Sequence, residues 1–132
     1  MPNQIHSCGK TADGPQNANG TTGHVVYILI VEDDKDVAEM LCDVLRTEGH
    51  RCFLLRSKAV AERFLRRARP DLVIVDWLLI DGHGLQVATL ATQLNLPVVV
   101  TSGDHTKADE IEASGFLYLK KPFTLVTLMH VI

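Results

Sequence analysis

Three consecutive acids, Glu32, Asp33 and Asp34, close an apolar run that begins at Val25, and a single acid, Asp76, closes another over residues 72 to 75. Two further apolar stretches end in a hydroxyl pair, Thr101 and Ser102, and in a lysine pair, Lys120 and Lys121. Carboxylates brought from two segments to one spot repel each other strongly unless a hard divalent cation, most plausibly Mg²⁺, sits between them. A hydroxyl and an ammonium on the opposite side would complete a site for an oxyanion. These residue types predict phosphate chemistry, provided the chain brings the four segments to one edge.

The patterning predicts such an arrangement. Val25 to Val31 is apolar and rich in β-branched residues, as suits a strand buried on both faces of a parallel sheet. Val37, Met40, Leu41, Val44 and Leu45 then recur at the spacing of one helical face, and Gly49 supplies a left-handed stop. A second strand is expected over Cys52 to Leu55. The helix after it has Ser57 as its cap, Val60, Phe64, Leu65 and Ala68 as its apolar side, and Pro70 as its close. The third strand, Leu72 to Val75, runs into Asp76. Beyond a loop carrying Gly82 and Gly84, the positions Val87, Leu90, Ala91 and Leu94 mark a third helix, and Val98 to Thr101 a fourth strand. Residues 106 to 114 suffice for a short polar helix, and Leu117 to Leu119 for a fifth strand. Leu125, Leu128, Met129 and Ile132 line a last helix.

Five βα units in strict alternation imply a doubly wound α/β fold, a parallel sheet with helices on both faces. In such sheets ligands bind beyond the carboxyl ends of the strands, where all four polar groups fall.

Composition narrows the classes. The chain has 132 residues, 46% of them hydrophobic, which matches one domain with a core of its own. Residues 1 to 24 are rich in Gly, Asn and Thr with only Ile5 to bury, and are expected to be a disordered tail before a folded unit at 25 to 132. The net charge of −3 lacks the basic excess of a dedicated nucleic-acid binder, and no direct nucleic-acid binding is expected. No apolar run has the length of a membrane span or a secretory signal, so a cytoplasmic protein without membrane contact is expected. Cys8, Cys42 and Cys52 are odd in number and lack CxxC spacing, so free thiols are expected.

The order V-E-D-D after the first strand, V-D-W after the third, P-V-V-V-T-S-G at the fourth and Y-L-K-K-P-F at the fifth resembles the receiver domain of bacterial response regulators. The resemblance spans residues 25 to 132. It implies a flavodoxin-like five-stranded sheet of order 2-1-3-4-5. By this resemblance Glu32 and Asp33 hold Mg²⁺, Asp33 directly and Glu32 through water, and the Leu78 backbone carbonyl is a further ligand. Asp76 is the phosphoacceptor, and also contacts the metal. Lys121 contacts the phosphoryl oxygens. Counting from Pro97 favours Ser102 over Thr101 as the hydroxyl residue, and Tyr118 matches the aromatic switch. The implied partners are a sensor histidine kinase or a histidine phosphotransfer protein, and a downstream protein target. The implied role is a phosphorylation-dependent signalling module that catalyses only its own phosphorylation and dephosphorylation. Ile80, where many receivers have proline, and Asp81-Gly82-His83-Gly84, of which only Gly84 keeps the common spacing, depart from the family pattern.

Plainer readings stand beside several of these. Asp34 reads as a helix cap rather than a third ligand, His83 as a solvent-exposed loop histidine rather than one that tunes dephosphorylation, and His50, His105 and His130 form no ligand set. Eight of the 13 basic residues fall between Arg46 and Arg69, but without interleaved aromatics they read as a solvated helix face. Trp77 gates the site or packs on the loop. Two other functions compete: a degenerate receiver acting as an unphosphorylated binding platform, and a haloacid-dehalogenase-like phosphatase using Asp34-Lys35-Asp36. The phosphatase would need an acidic pair after the lysine, and residues 122 to 132 contain none.

Overall fold

The computed structural model describes residues 6–7, 25–121, 123 and 127–128. The strands and helices delimited among the described residues follow in chain order. The strands are β1 (His6–Ser7), β2 (Tyr27–Val31), β3 (Arg51–Leu55), β4 (Leu72–Asp76), β5 (Leu78–Leu79), β6 (Gly82–His83), β7 (Val98–Ser102) and β8 (Leu117–Lys120). The helices are α1 (Lys35–Thr47), α2 (Lys58–Leu65), α3 (Leu85–Gln93) and α4 (Ala108–Ala113), the last preceded by a 3₁₀ turn over His105–Lys107.

The main sheet has the order β1-β3-β2-β4-β7-β8, with every pair parallel except β1 with β3. Its five parallel strands thus follow the expected 2-1-3-4-5 order. Side chains alternate across the sheet, so the unbroken apolar runs are explained by burial on both faces. Leu29, Val31, Val73, Val75, Val98 and Val100 pack with Ala61 and Leu65 of α2, Ala88 and Ala91 of α3, and Ile111 of α4. Ile28, Ile30, Leu72, Ile74 and Val99 pack instead with Ala38, Leu41, Cys42 and Leu45 of α1 and with Leu128. A fully buried aliphatic side chain contributes about 1.5–3 kcal/mol, so these two layers carry the fold.

Four features differ from expectation. The buried stripe of α1 is Ala38, Leu41, Cys42 and Leu45, which leaves Met40 57% exposed because the helix is rotated toward its small residues. The loop after Asp76 folds into an antiparallel hairpin, Leu78 opposite His83 and Leu79 opposite Gly82. Within the expected tail, His6–Ser7 pairs with Phe53 and Leu54 and lengthens the sheet at its β3 edge. Cys52 is a buried free thiol, whereas Cys42 is disulfide-bonded, against the expectation of free thiols. Spacing along the chain carries no information about proximities that folding creates. Cys8, Pro122, Leu125, Met129, His130 and Ile132, used in the sequence reading, lie outside the described residues.

Candidate functional site

The parallel order reverses between β2 and β4, since β3 lies to one side of β2 and β4, β7 and β8 to the other. Backbone polar groups at such a switch point face an open crevice. Glu32 follows β2, and its N–H donates to the Leu55 carbonyl at 3.0 Å, which continues the pairing with β3 past the strand end. Asp33 is half-buried beside it, and its carbonyl accepts from the Arg56 guanidinium at 3.3 Å. Asp34 leaves the cluster. Its carboxylate accepts from the Asp36 and Val37 amides, capping α1 as expected of a cap rather than a ligand.

Glu32, Asp33 and Asp76 offer carboxylate oxygens that all lie within 4.8 Å of one another. Lys121 reaches across from the end of β8, its ammonium 2.7 Å from Glu32 Oε1 and 3.0 Å from Asp76 Oδ2. Glu32 is only 3% exposed. Burial pushes its carboxyl up to about 7, with the Asp76 charge adding to the rise and the Lys121 ammonium and the Asp34 amide opposing it. Burial also works against the Lys121 charge, but its hydrogen bond to Glu32 and the nearby Asp76 hold the ammonium above the usual lysine range. One ammonium thus pairs with two of three clustered carboxylates. The oxygen-only donor set and the surplus negative charge suit a hard cation such as Mg²⁺, which keeps some of its waters at sites of this kind.

The other expected residues are placed less directly. Leu78 directs its N–H toward Asp76 Oδ1 at 3.5 Å, and its side chain is 62% exposed. Thr101 is the residue in register with Asp76, while Ser102 stands one step further along β7, opposite Lys120. Ser102 is buried, and its hydroxyl accepts from the Asp104 amide at 3.0 Å. The Tyr118 hydroxyl lies 3.5 Å from the Ser102 carbonyl. Glu32, Asp33, Asp76 and Lys121 are therefore brought together, with Ser102 at the end of β7 approached by the Tyr118 hydroxyl from within β8.

Three contributors escaped the sequence reading. Gly84 opens α3 with its backbone against the site: a Cβ there would stand 2.0 Å from the Asp76 carbonyl oxygen and 2.9 Å from Val75 Cγ2. Arg56 braces the Asp33 backbone. Asp81 binds the first amides of α2. Only the first left a trace in the sequence, as the one glycine at the common spacing; the other two act across 22 or more residues.

This site, at the carboxyl edge of this sheet, defines a receiver domain, and the comparisons agree. Residues 28–132 match the family model for the response regulator receiver domain, and the chain belongs to that family. It is 33% identical over 104 residues to the phosphate regulon transcriptional regulatory protein PhoB of Klebsiella pneumoniae, a match covering 74% of this chain and 45% of that protein. It is 34% identical over 100 residues to the DNA-binding response regulator MtrA of Mycobacterium tuberculosis, covering 73% and 44%. The chain spans less than half the length of these relatives. Among solved structures, a putative response regulator from Chloroflexus aurantiacus superposes with a TM-score of 0.70 at 32% identity, covering 81% of this chain and 93% of that one. The receiver domain of a sensor histidine kinase from Pseudomonas aeruginosa, with a magnesium ion coordinated in its active-site cleft, shares the fold at a TM-score of 0.73 and 23% identity, covering 82% and 94%.

Proposed function

We propose that the chain accepts a phosphoryl group on Asp76 from the phosphohistidine of a sensor histidine kinase or a histidine phosphotransfer protein, and passes the signal to a downstream protein target. The observation that carries this reading is the convergence of Glu32, Asp33, Asp76 and Lys121 at one sheet edge. In the transfer an Asp76 carboxylate oxygen attacks phosphorus, the P–N bond to the donor imidazole breaks, and the imidazole nitrogen leaves with its electron pair and takes a proton. Glu32, Asp33, Asp76 and the Leu78 carbonyl would hold Mg²⁺, which when bound neutralises charge on the equatorial oxygens. Lys121 supplies the same service from the opposite side. Ser102 is the hydroxyl that would meet a phosphoryl oxygen, and Tyr118, linked to it through its carbonyl, is the switch residue.

The complete set of acids and lysine weighs against an unphosphorylated platform. No helix among the described residues is long and apolar enough to cross a membrane. The names of the relatives include DNA binding, at odds with the expectation of no nucleic-acid contact, and the proposal concerns the phosphorylation site alone. Incubation with acetyl phosphate and Mg²⁺ followed by intact mass tests the reading. A single phosphoryl increment is expected, absent in Asp76→Asn. Its persistence in that variant would move the nucleophile elsewhere.

A further inference from the structure

An α-helix begins with amides that have no partner inside the helix. In α2 these donors are divided between two sources. Ser57, the residue just before the helix, accepts from Val60 N–H at 3.2 Å, as an ordinary local cap does. The two earlier amides go to a residue from another part of the chain: Asp81 accepts from Lys58 N–H at 2.6 Å and from Ala59 N–H at 3.0 Å, one on each carboxylate oxygen. Although desolvation works against its charge, these amide bonds hold the Asp81 carboxyl below the usual carboxylate range.

Asp81 sits at the tip of the hairpin formed by β5 and β6. Gly82, next to it, has φ +144, and a Cβ there would meet the Lys58 side chain at 3.0 Å, so the tip lies directly on the first turn of α2. The base of the hairpin is closed by Gly84 N–H donating to the Trp77 carbonyl at 2.7 Å, and its first strand opens on Leu78, which pairs with His83. The segment leaving Asp76 is therefore pinned at both ends, at the base to its own chain and at the tip to α2.

We propose that Asp81 is a positioning residue for the metal-binding side of the site: by tying the hairpin to α2 it fixes where the Leu78 backbone stands beside Asp33 and Asp76. The inference rests on the reading of Glu32, Asp33, Asp76 and the Leu78 carbonyl as an Mg²⁺ site. It assigns a function to a loop that departs from the family pattern, where Ile80 replaces a proline that would stiffen the backbone. Here the stiffening comes from a carboxylate bound to a helix end, whose partial positive charge favours it.

The test is a Mg²⁺ titration of the full chain, followed by the fluorescence of Trp77, its single tryptophan, and by calorimetry. Asp81→Ala should weaken Mg²⁺ binding about tenfold, the lower end of what outer partners of metal ligands contribute. Asp81→Asn, which keeps one acceptor oxygen, should fall between the two, and carries the test alone if Asp81→Ala does not fold. Ser57→Ala removes the local cap of the same helix and should lower thermal stability while leaving Mg²⁺ affinity unchanged. Amide exchange at Lys58 and Ala59 should quicken in Asp81→Ala. Unchanged affinity in Asp81→Ala, with binding lost in Asp33→Ala, would overturn the proposal and leave the metal site standing. Equal weakening by Ser57→Ala and Asp81→Ala would overturn it too, by tracing the effect to α2. Wild-type affinity in both Asp33→Ala and Asp81→Ala would overturn the site itself and the proposal with it.

Discussion

Leu78 stands two residues beyond Asp76 with most of its surface in solvent, and on the proposed reading it would neighbour the water that hydrolyses an aspartyl phosphate. An isobutyl group cannot hydrogen-bond that water, so it neither orients nor activates it. Leu78→Asn should therefore speed loss of the phosphoryl group, by up to about tenfold for a restored positioning contact. The measurement is decay of the phosphorylated chain after removal of the donor, with Mg²⁺ present; equal or slower decay in the variant would shift control to Trp77 or the hairpin. At the same scale, Cys52 is 2% exposed and burial pushes its thiol up to about 12. It should resist iodoacetamide in the native protein and react on unfolding, as mass spectrometry of the alkylated chain would show. Glu32, Asp33, Asp76 and Lys121 were legible in the sequence because each stands at the end of a largely apolar strand or within two residues of it, and the fold brings strand ends together. Asp81 was not. Its importance depends on an approach of two loops that no local pattern encodes.

Elements set the next scale, and two of them report on how tightly the site is held. Gly84 has an ordinary φ of −67, so its need for glycine comes from space alone. A methyl group there would overlap the Asp76 carbonyl and force apart β4 and the first turn of α3. Gly84→Ala should cost about 1–3 kcal/mol or more, as overpacking does, and should slow phosphorylation of Asp76 because its peptide must move. Urea unfolding with an unchanged slope, paired with phosphorylation rates, would check both. The start of β2 depends on His50, whose Nδ1 accepts from Val26 N–H at 3.2 Å while Arg51 N–H returns to the Val26 carbonyl at 3.0 Å. Burial lowers the His50 pKa from its ordinary 6.5, against a weaker pull from Glu48. The native state thus prefers neutral His50. Its contribution, about 1 kcal/mol for one hydrogen bond, is complete above pH 6.5 and lost as pH falls below it. His50→Phe should flatten the fall in melting temperature between pH 7.5 and 5.5; an identical fall in the variant would assign the pH dependence to other groups. The parallel strands and the helices α1 and α3 were legible from periodicity to within about two residues, whereas α2 stops at Leu65, short of the expected Ala68, and the expected last helix falls largely outside the described residues. The β5–β6 hairpin was not, because two-residue strands leave no periodic trace.

For the whole molecule, the sheet order matters most, because it places the ends of β2, β4 and β8 around one crevice. Alternation of strands and helices implied a parallel sheet, and the family motifs supplied the order. The added edge strand at His6–Ser7 went unread, since a two-residue pairing needs only backbone groups and no apolar pattern. That architecture carries a cost: three carboxylates converge at one edge, one of them almost wholly buried, and the Lys121 ammonium pairs with only two of them. Their mutual repulsion opposes folding and is relieved by any cation bound only in the native state. Mg²⁺ should therefore stabilise the entire domain, by about 2.7 kcal/mol when its concentration is a hundred times Kd. At roughly 4 °C per kcal/mol for a domain of this size, the melting temperature should rise by on the order of 10 °C. Asp33→Ala removes one of the three oxygens and should abolish most of that rise without perturbing the core, because its side chain is only half-buried. Melting curves of wild type and variant across a Mg²⁺ series, at constant ionic strength to separate binding from screening, decide it. A wild-type rise reproduced by Na⁺ alone, or retained in Asp33→Ala, would mean that the acidic edge is relieved by general screening and not by a metal held between β2 and β4.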